Sequence, residues 1–182
     1  MKRIPLTQGK EALVSDCDYE FLMRWGWYYR KAYKGGYAVR HDENNHDKIV
    51  WMHKEVARRK GLSGQIDHRN QNKVDDRRHN LREATGTQNK ANSSLYRNNT
   101  SKYRGVSPYK NRWRATCKRA FFGDYSKTKT GKIQAAYAYD IAALACFKRF
   151  AVLNKVSHLL DDSTKRWIKK DVLRRLKEKG LI

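Results

Sequence analysis

The feature that most constrains this chain is a polar segment near its middle, residues 88–101, which is rich in Asn and Ser and has little apolar periodicity. Such composition is typical of a connector rather than of a packed core. The segment divides 182 residues into two parts, and each part has room for only one small core. We therefore expect a first domain at residues 1–92 and a linker at residues 93–101.

Short strands and helices are expected before the linker, because the apolar runs are brief and are separated by turn residues. The sequence predicts strands at residues 12–14, 28–33 and 37–40, a hairpin turn at Gly35-Gly36, and helices at residues 18–25 and 50–60.

The chain after the linker predicts a three-stranded sheet followed by two helices. Strands are expected at residues 103–108, 112–119 and 121–125, with turns at residues 108–111 and at Arg119-Ala120, and helices at residues 132–150 and from residue 161 onward. In the first helix Ile133, Tyr137, Ile141 and Leu144 recur about three to four residues apart, and its small alanines would let it approach the sheet closely. In the second helix Ile168, Val172 and Leu176 lie on one stripe by which the helix could dock. The predicted class is α+β, with a domain at residues 102–157 and a basic helix at residues 158–182.

The charge favours a polyanionic partner. Lys and Arg number 41 against 18 Asp and Glu, which gives a formal net charge of +23. No acidic residue occurs between Ala84 and Gly123, and such an interval is hard to explain by solubility alone. The basic residues of the last helix could instead simply face water, as charge runs usually do.

Further sequence features bear on membrane association, on secretion and on the state of the cysteines. No run of about 18 apolar residues is present, so we expect no membrane partner. The first residues lack an apolar block of signal-peptide length, which predicts a cytoplasmic, non-secreted protein. Cys17, Cys117 and Cys146 are odd in number and lack metal-site spacing, so we expect reduced thiols.

The densest polar cluster lies at residues 66–89 and could support phosphodiester hydrolysis. That reaction needs a base, a hard cation and ligands to hold the cation. Asp67 and Asn89 offer oxygen ligands, and His68 offers an imidazole that can serve as a base. Adjacent residues of a strand point to opposite faces, so a loop or bulge would have to bring Asp67 and His68 to one site.

The spacing of this cluster resembles the HNH homing-endonuclease pattern of phages. Asp67-His68 is followed thirteen residues after the Asp by Asn80-Leu81-Arg82, and nine residues later by Asn89. The resemblance implies a ββα-metal fold in which His68 is the general base and Asn80 is a catalytic residue that pins the loop and orients His68. It also implies that Asp67 and Asn89 bind one divalent cation per active site, with Mg²⁺ suited to oxygen ligands.

Two positions depart from that family. Gln71 stands where the family usually has Gly, so a positive φ there would cost about 1 kcal/mol. Asp76 stands where the family usually has Asn.

Among the other imidazoles, His53 is expected to be structural beside the site, and three are expected to be exposed: His41, His46 and His79.

Residues 112–118 predict a strand with one apolar and one cationic face. Trp113, Ala115 and Cys117 alternate with Arg112, Arg114, Thr116 and Lys118. If a helix covers the apolar face, the cationic face is left for a partner. A three-stranded sheet of this kind fits a DNA major groove, where Arg can pair with guanine.

Residues 102–154 resemble the Apetala/ethylene-response-factor (AP-two) DNA-binding domain. The resemblance rests on Tyr103-Arg-Gly-Val106, Trp113-Arg-Ala115, Phe122-Gly123, residues 135–143 and residues 151–154, all in the family's order. It implies DNA contacts by Arg104, Arg112, Arg114 and Lys118. The aromatic residues Tyr103, Trp113, Tyr137 and Tyr139 are expected to be core rather than base-stacking.

The sequence therefore predicts a DNA endonuclease of phage type, acting in an infected bacterial cell. It would nick or cut double-stranded DNA and need no small-molecule cofactor. The sequence leaves the oligomeric state open, and a monomer on DNA is one option. One alternative is a DNA-binding regulator without catalysis. Another is a basic protein that binds RNA or associates with the ribosome.

Overall fold

The computed structural model describes residues 1–32 and 35–182, which form two compact units, Met1–Lys90 and Ala91–Ile182. Both units contain small antiparallel sheets and helices, so the predicted α+β class is confirmed. Tyr33, the predicted end of one strand, lies outside the described residues. No described helix has both the length and the apolar character needed to cross a membrane.

The first unit contains three small antiparallel sheets. Strands β1 and β2 form a hairpin, β3, β4 and β5 form a three-stranded sheet in that order, and β6 pairs with β7. The elements are β1 (Lys2–Leu6), β2 (Lys10–Val14), α1 (Asp16–Leu22), β3 (Tyr28–Lys31), β4 (Gly36–His41), β5 (Ile49–Trp51), α2 (Met52–Arg59), β6 (Ile66–His68), β7 (Leu81–Glu83) and α3 (Gly86–Ala91). The sequence predicted β2, β3, β4, α1 and α2 to within a few residues but not β1, β5, β6, β7 or α3 as elements.

The core of this unit joins α2 to the strands around it. Met52 and Val56 lie one helical turn apart on α2 and are fully buried, as are Val14 of β2 and Leu81 of β7. The indole nitrogen of the buried Trp27 donates a hydrogen bond of 2.8 Å to the main-chain oxygen at the end of α1. Burial of these side chains fixes α2 against β7 and so positions the residues that follow β6.

The second unit has the predicted sheet and both predicted helices. They are β8 (Val106–Tyr109), β9 (Arg112–Cys117), β10 (Ala120–Ser126), α4 (Lys129–Phe147) and α5 (Asp162–Glu178), with β9 between the other two strands. The predicted end of β9 was wrong: Lys118 and Arg119 form the turn, with φ of 49° and 65°. Positive φ at both central residues matches the twist of a two-residue hairpin.

Helix α4 buries the alanines that were expected to let it approach the sheet, and it also buries Ile133. Ala135, Ala136, Ala142 and Ala143 are fully buried, whereas Leu144 is 50% exposed. The recurrence of large apolar residues therefore does not mark a fully buried stripe, and it is the small side chains that allow this helix to approach the sheet closely.

Helix α5 packs as predicted. Ile168, Val172 and Leu176 are all fully buried. The Asp161 carboxylate caps the helix by accepting a 2.8 Å hydrogen bond from the main-chain nitrogen of Thr164.

Candidate active site and candidate nucleic-acid face

The candidate active site lies on β6, β7 and the loop between them, residues 69–80. Strand β2 holds this loop through the main chain of Leu13, which donates to the Val74 oxygen and accepts from the Asp76 nitrogen, both at 2.8 Å. The loop is therefore bonded along part of its length to a strand outside the pair that it connects.

Asn80 closes the loop from inside. Its side-chain nitrogen donates to the Asn70 side-chain oxygen at 3.0 Å and to the Asp75 main-chain oxygen at 2.7 Å, and its side-chain oxygen accepts from the Asn70 main-chain nitrogen at 3.1 Å. Asn80 is buried. Through these three hydrogen bonds Asn80 fixes the conformation of the loop. Fixing the loop is one part of the role that the HNH resemblance implies for Asn80.

Gln71 lies in the tight turn that follows β6. Its φ is 64°, and its main-chain nitrogen donates to the His68 oxygen at 2.9 Å. A residue with a Cβ atom is strained in this left-handed conformation. The sequence raised this possibility because Gln71 replaces the glycine usual in the resembling family.

His68 is held by a buried carboxylate. Its Nε2 atom lies 2.8 Å from Oδ1 of Asp76, and the two side chains are 6% and 0% exposed. Burial raises the pKa of Asp76, while the hydrogen bond with His68 acts in the opposite direction. The sequence singled out Asp76 only as a departure from the family pattern, yet it is the residue that contacts the predicted base.

His53 lies beside this pair, in the first turn of α2. Its ring centroid is 5.3 Å from that of His68 and 5.4 Å from that of Tyr37 on β4. Burial, followed by the proximity of His68, lowers the pKa of His53 to about 3, so this imidazole is neutral near pH 7. The predicted location of His53 beside the site is confirmed, and the predicted exposure of the three other imidazoles is also confirmed: His41, His46 and His79.

His53, His68 and Asp76 form a cluster that could hold a metal ion. One ligand atom from each residue lies within 4.8 Å of the others, and all three residues are buried. Within the described residues, Nδ1 of His53 and Oδ2 of Asp76 are buried atoms without a hydrogen-bond partner. Sequence reasoning missed this cluster because its members come from α2, β6 and the loop and share no short spacing.

Asp67 contacts a different partner. It pairs across the strands with Arg82, whose Nε and Nη2 atoms are each 2.8 Å from Oδ2 of Asp67, and both side chains are buried. The alternation of a strand places Asp67 and His68 on opposite faces of β6. Asn89, the other predicted metal ligand, is half-buried on α3.

A buried carboxylate fastens the end of the loop to two helices. Asp18 of α1 accepts hydrogen bonds from Arg59 of α2 and from Arg78 of the loop, at 2.7–3.0 Å. Burial alone would raise the pKa of Asp18, but the two guanidinium groups outweigh it and lower the pKa. We call these three residues the Asp18 clasp.

The candidate nucleic-acid face of the second unit is less uniform than predicted. Arg112 is exposed, but Arg114 makes a two-bond contact with Asp124, at 2.8 and 2.7 Å, and its guanidinium carbon lies 3.3 Å from the ring centroid of Tyr109. Asp124 lies directly opposite Arg114 on β10. The face therefore has an ion pair and an aromatic ring where only cations were expected.

The other two predicted DNA contacts lie outside the regular strands. Lys118 is exposed in the turn after β9. Arg104 precedes β8, where its guanidinium donates to the Ser93 oxygen and its main-chain nitrogen donates to the Asn154 side chain at 2.7 Å. Both residues stay candidates for DNA contact, in a turn and in a loop respectively.

An open groove of about 640 Å³ lies at one end of this sheet. Three of its lining residues are cations, Lys110, Arg112 and Lys127, and Asp124 also lines it. Lys127 is also 4.0 Å from the ring centroid of Trp113, which is half-buried. Of the four aromatic residues expected in the core, only Tyr139 is buried, and the other three are half-buried: Tyr103, Trp113 and Tyr137.

No protein-family model, no curated protein and no solved structure matches this chain. A functional assignment therefore depends on the chemistry of these two surfaces.

Proposed function

We propose that this chain is a metal-dependent DNA endonuclease that hydrolyses a phosphodiester bond in double-stranded DNA. The observation that carries the proposal is the 2.8 Å contact between His68 and the buried Asp76, on a loop that Asn80 closes and β2 holds. A base of this kind must keep one orientation to be effective. A fully buried carboxylate with an adjacent imidazole is also a frequent arrangement in active sites.

In the base form of the site, Asp76 is ionised and accepts the Nε2 hydrogen of His68. The lone pair of the imidazole is then on Nδ1, where it can take a proton from the attacking water. As the imidazole gains that proton, the negative charge of Asp76 stabilises the resulting cation. Asp76 is thus a positioning residue, and His68 is the proposed catalytic residue.

Asp67 and Asn89 stay the proposed ligands of the divalent cation, but β6 pairs with β7 without a bulge at Asp67 and His68, so a cation there can share a phosphate with His68 only if the end of β6 turns when DNA binds. Carboxylate and amide oxygens suit Mg²⁺, which would neutralise charge on the scissile phosphate. Asp67 already accepts two hydrogen bonds from the Arg82 guanidinium. A cation at Asp67 therefore competes with Arg82 for one carboxylate, and we expect its binding to be weak without DNA.

The second unit is the proposed DNA-binding unit. Its exposed Arg112 and Lys118 lie on or beside a three-stranded sheet of about the width that a major groove admits. With the formal charge of +23, phosphate contacts would supply much of the affinity. If 6 to 10 phosphates are neutralised, the affinity should fall by about 10³ to 10⁵ between 50 and 200 mM salt.

The test is cleavage of supercoiled plasmid by the full chain, with Mg²⁺ or with a chelator. We expect nicked or linear product with Mg²⁺ alone, its loss in His68→Ala, and normal cleavage by His79→Ala. The matched control removes an exposed imidazole from the same loop. Binding of the same DNA, measured by gel shift, should persist in both variants.

Other outcomes separate the alternatives. DNA binding without cleavage by the wild-type chain would favour a regulator and contradict the nuclease proposal. Cleavage that survives in His68→Ala would refute the assignment of the base. Preferential binding of structured RNA over duplex DNA at the same salt concentration would favour the RNA-binding alternative, because a groove-reading sheet should prefer B-form geometry.

A further inference from the structure

The cluster of His53, His68 and Asp76 has donors that differ in kind from those of the proposed Mg²⁺ ligands. We propose that these three residues form a binding site for a transition-metal ion of the Zn²⁺ class. The site would use two imidazole nitrogens and one carboxylate oxygen, all from buried residues.

The donor set selects the class of metal. Imidazole suits Zn²⁺, Co²⁺ and Ni²⁺, whereas Mg²⁺ prefers six oxygen ligands in octahedral geometry. Three protein ligands with an open fourth position are typical of zinc sites that exchange water or substrate. The cluster should therefore discriminate strongly against Mg²⁺.

Two unpartnered atoms within the cluster support this proposal independently. His53 Nδ1 and Asp76 Oδ2 are both buried without a hydrogen-bond partner in the part of the chain that the structure describes. A buried polar atom without a partner is destabilising, so such atoms are uncommon without a ligand, water or ion. Here they belong to two neighbouring side chains that both carry metal-binding groups.

The geometry needs only small side-chain movements. With metal–ligand distances of about 2.0–2.1 Å, tetrahedral ligands lie about 3.4 Å apart. The ligand atoms now lie within 4.8 Å of one another, and the His68–Asp76 contact is 2.8 Å. Binding would lengthen the His68–Asp76 contact by about 0.6 Å and draw His53 inward by at most about 1.4 Å. Side-chain rotation can supply such shifts while α2, β6 and the anchored loop stay in place.

Metal binding at this cluster would occupy His68. In the proposed nuclease, Zn²⁺ should therefore inhibit cleavage that Mg²⁺ supports, because the imidazole could no longer take a proton from water. This consequence rests on the proposed function, whereas the binding itself does not.

The test is calorimetric titration of the chelator-treated full chain with ZnCl₂ and, separately, with MgCl₂. We expect one Zn²⁺ per chain and much weaker binding of Mg²⁺. His53→Gln and Asp76→Asn should each weaken Zn²⁺ binding by about 100-fold or more, since each removes a ligand. His79→Gln and Cys17→Ser should bind like the wild type, because they alter exposed groups outside the cluster.

A second measurement does not depend on the variants folding. Co²⁺ added to the wild-type chain should give the strong visible absorption of a four-coordinate site, and Zn²⁺ should remove it by displacement. Weak, six-coordinate absorption would overturn the proposal, as would Zn²⁺ binding that is unchanged in both His53→Gln and Asp76→Asn. A chain that binds one Zn²⁺ at the cluster but never cleaves DNA would refute the nuclease alone, and a chain that cleaves DNA but binds no Zn²⁺ would refute the zinc site alone.

Discussion

Replacing Asp18 with Asn is expected to destabilise the first unit by about 3 kcal/mol. Asp18 is fully buried and accepts three hydrogen bonds from arginine side chains, one from Arg59 at 3.0 Å and two from Arg78 at 2.7 and 2.8 Å. Removing one member of a buried ion pair costs about 3–5 kcal/mol. The two arginine side chains are 32% and 33% exposed, so water can solvate part of their charge, which favours the lower end of that range.

The destabilisation should depend on pH in a defined direction. The pKa of Asp18 is lowered in the folded chain, so its carboxylate stabilises the fold above the unfolded pKa of about 3.9. That contribution is lost as the pH falls through the lower, folded pKa. The difference between wild type and Asp18→Asn should therefore be constant near neutral pH and shrink in acid below about pH 4.

The assay is hydrogen-exchange mass spectrometry of the full chain, with Asp16→Asn as a control. Asp16 is also a carboxylate of α1, but its side chain is 67% exposed. A loss of 3 kcal/mol should speed exchange in residues 66–84 by about 100-fold, while peptides of the second unit serve as the reference. If Asp18→Asn exchanges like Asp16→Asn, then the Asp18 clasp does not hold the loop and the stability estimate fails.

Three further predictions concern single positions. Gly105→Ala should lower the melting temperature of the second unit, because φ at Gly105 is +68° and the added Cβ would lie 1.9 Å from the Tyr139 ring. An unchanged melting curve would contradict this close approach. Arg112→Met should weaken DNA binding and reduce the slope of log affinity against log salt concentration by about 1, as filter binding can show. Arg114→Met should mainly destabilise the sheet, because Arg114 pairs with Asp124, and thermal unfolding can show this. Gln71→Gly should stabilise the first unit by up to about 1 kcal/mol, because it removes the strain of a positive φ. Urea unfolding measures this change, and a destabilised variant would show that no such strain exists.

Local patterns predicted those parts of the fold that depend on local sequence. In β9, strict alternation placed Ala115 and Cys117 on one face, and both are buried. In α5, the spacing of Ile168, Val172 and Leu176 identified the buried face. A two-residue or 3.6-residue period is enough in such elements because one face is apolar and the other is charged.

The prediction from sequence failed where the packing depends on the size of side chains or on contacts between residues that are far apart in the sequence. In α4, the spacing of the large apolar residues does not reveal that Leu144 is exposed, whereas the alanines are buried as their small size predicted. Strand β1 was missed because only Ile4 and Leu6 mark its buried face and because proline, here Pro5, is uncommon in strands. For the candidate site, the sequence identified His68 and expected His53 beside it, but it did not reveal the contact of His68 with Asp76, which forms only through the tertiary fold.

The main-chain bonds between Leu13 and the loop have a practical consequence for protein engineering. A graft limited to residues 66–91 would leave behind the strand to which the loop is bonded at Val74 and Asp76. The Val74 carbonyl oxygen and the Asp76 amide of the transplanted segment would then lose their hydrogen-bond partners in Leu13 and would have to bond to water or to the new scaffold. The recipient scaffold would also set the spacing of the imidazoles. A portable cassette would have to include the hairpin formed by β1 and β2, even though none of the proposed site residues comes from it.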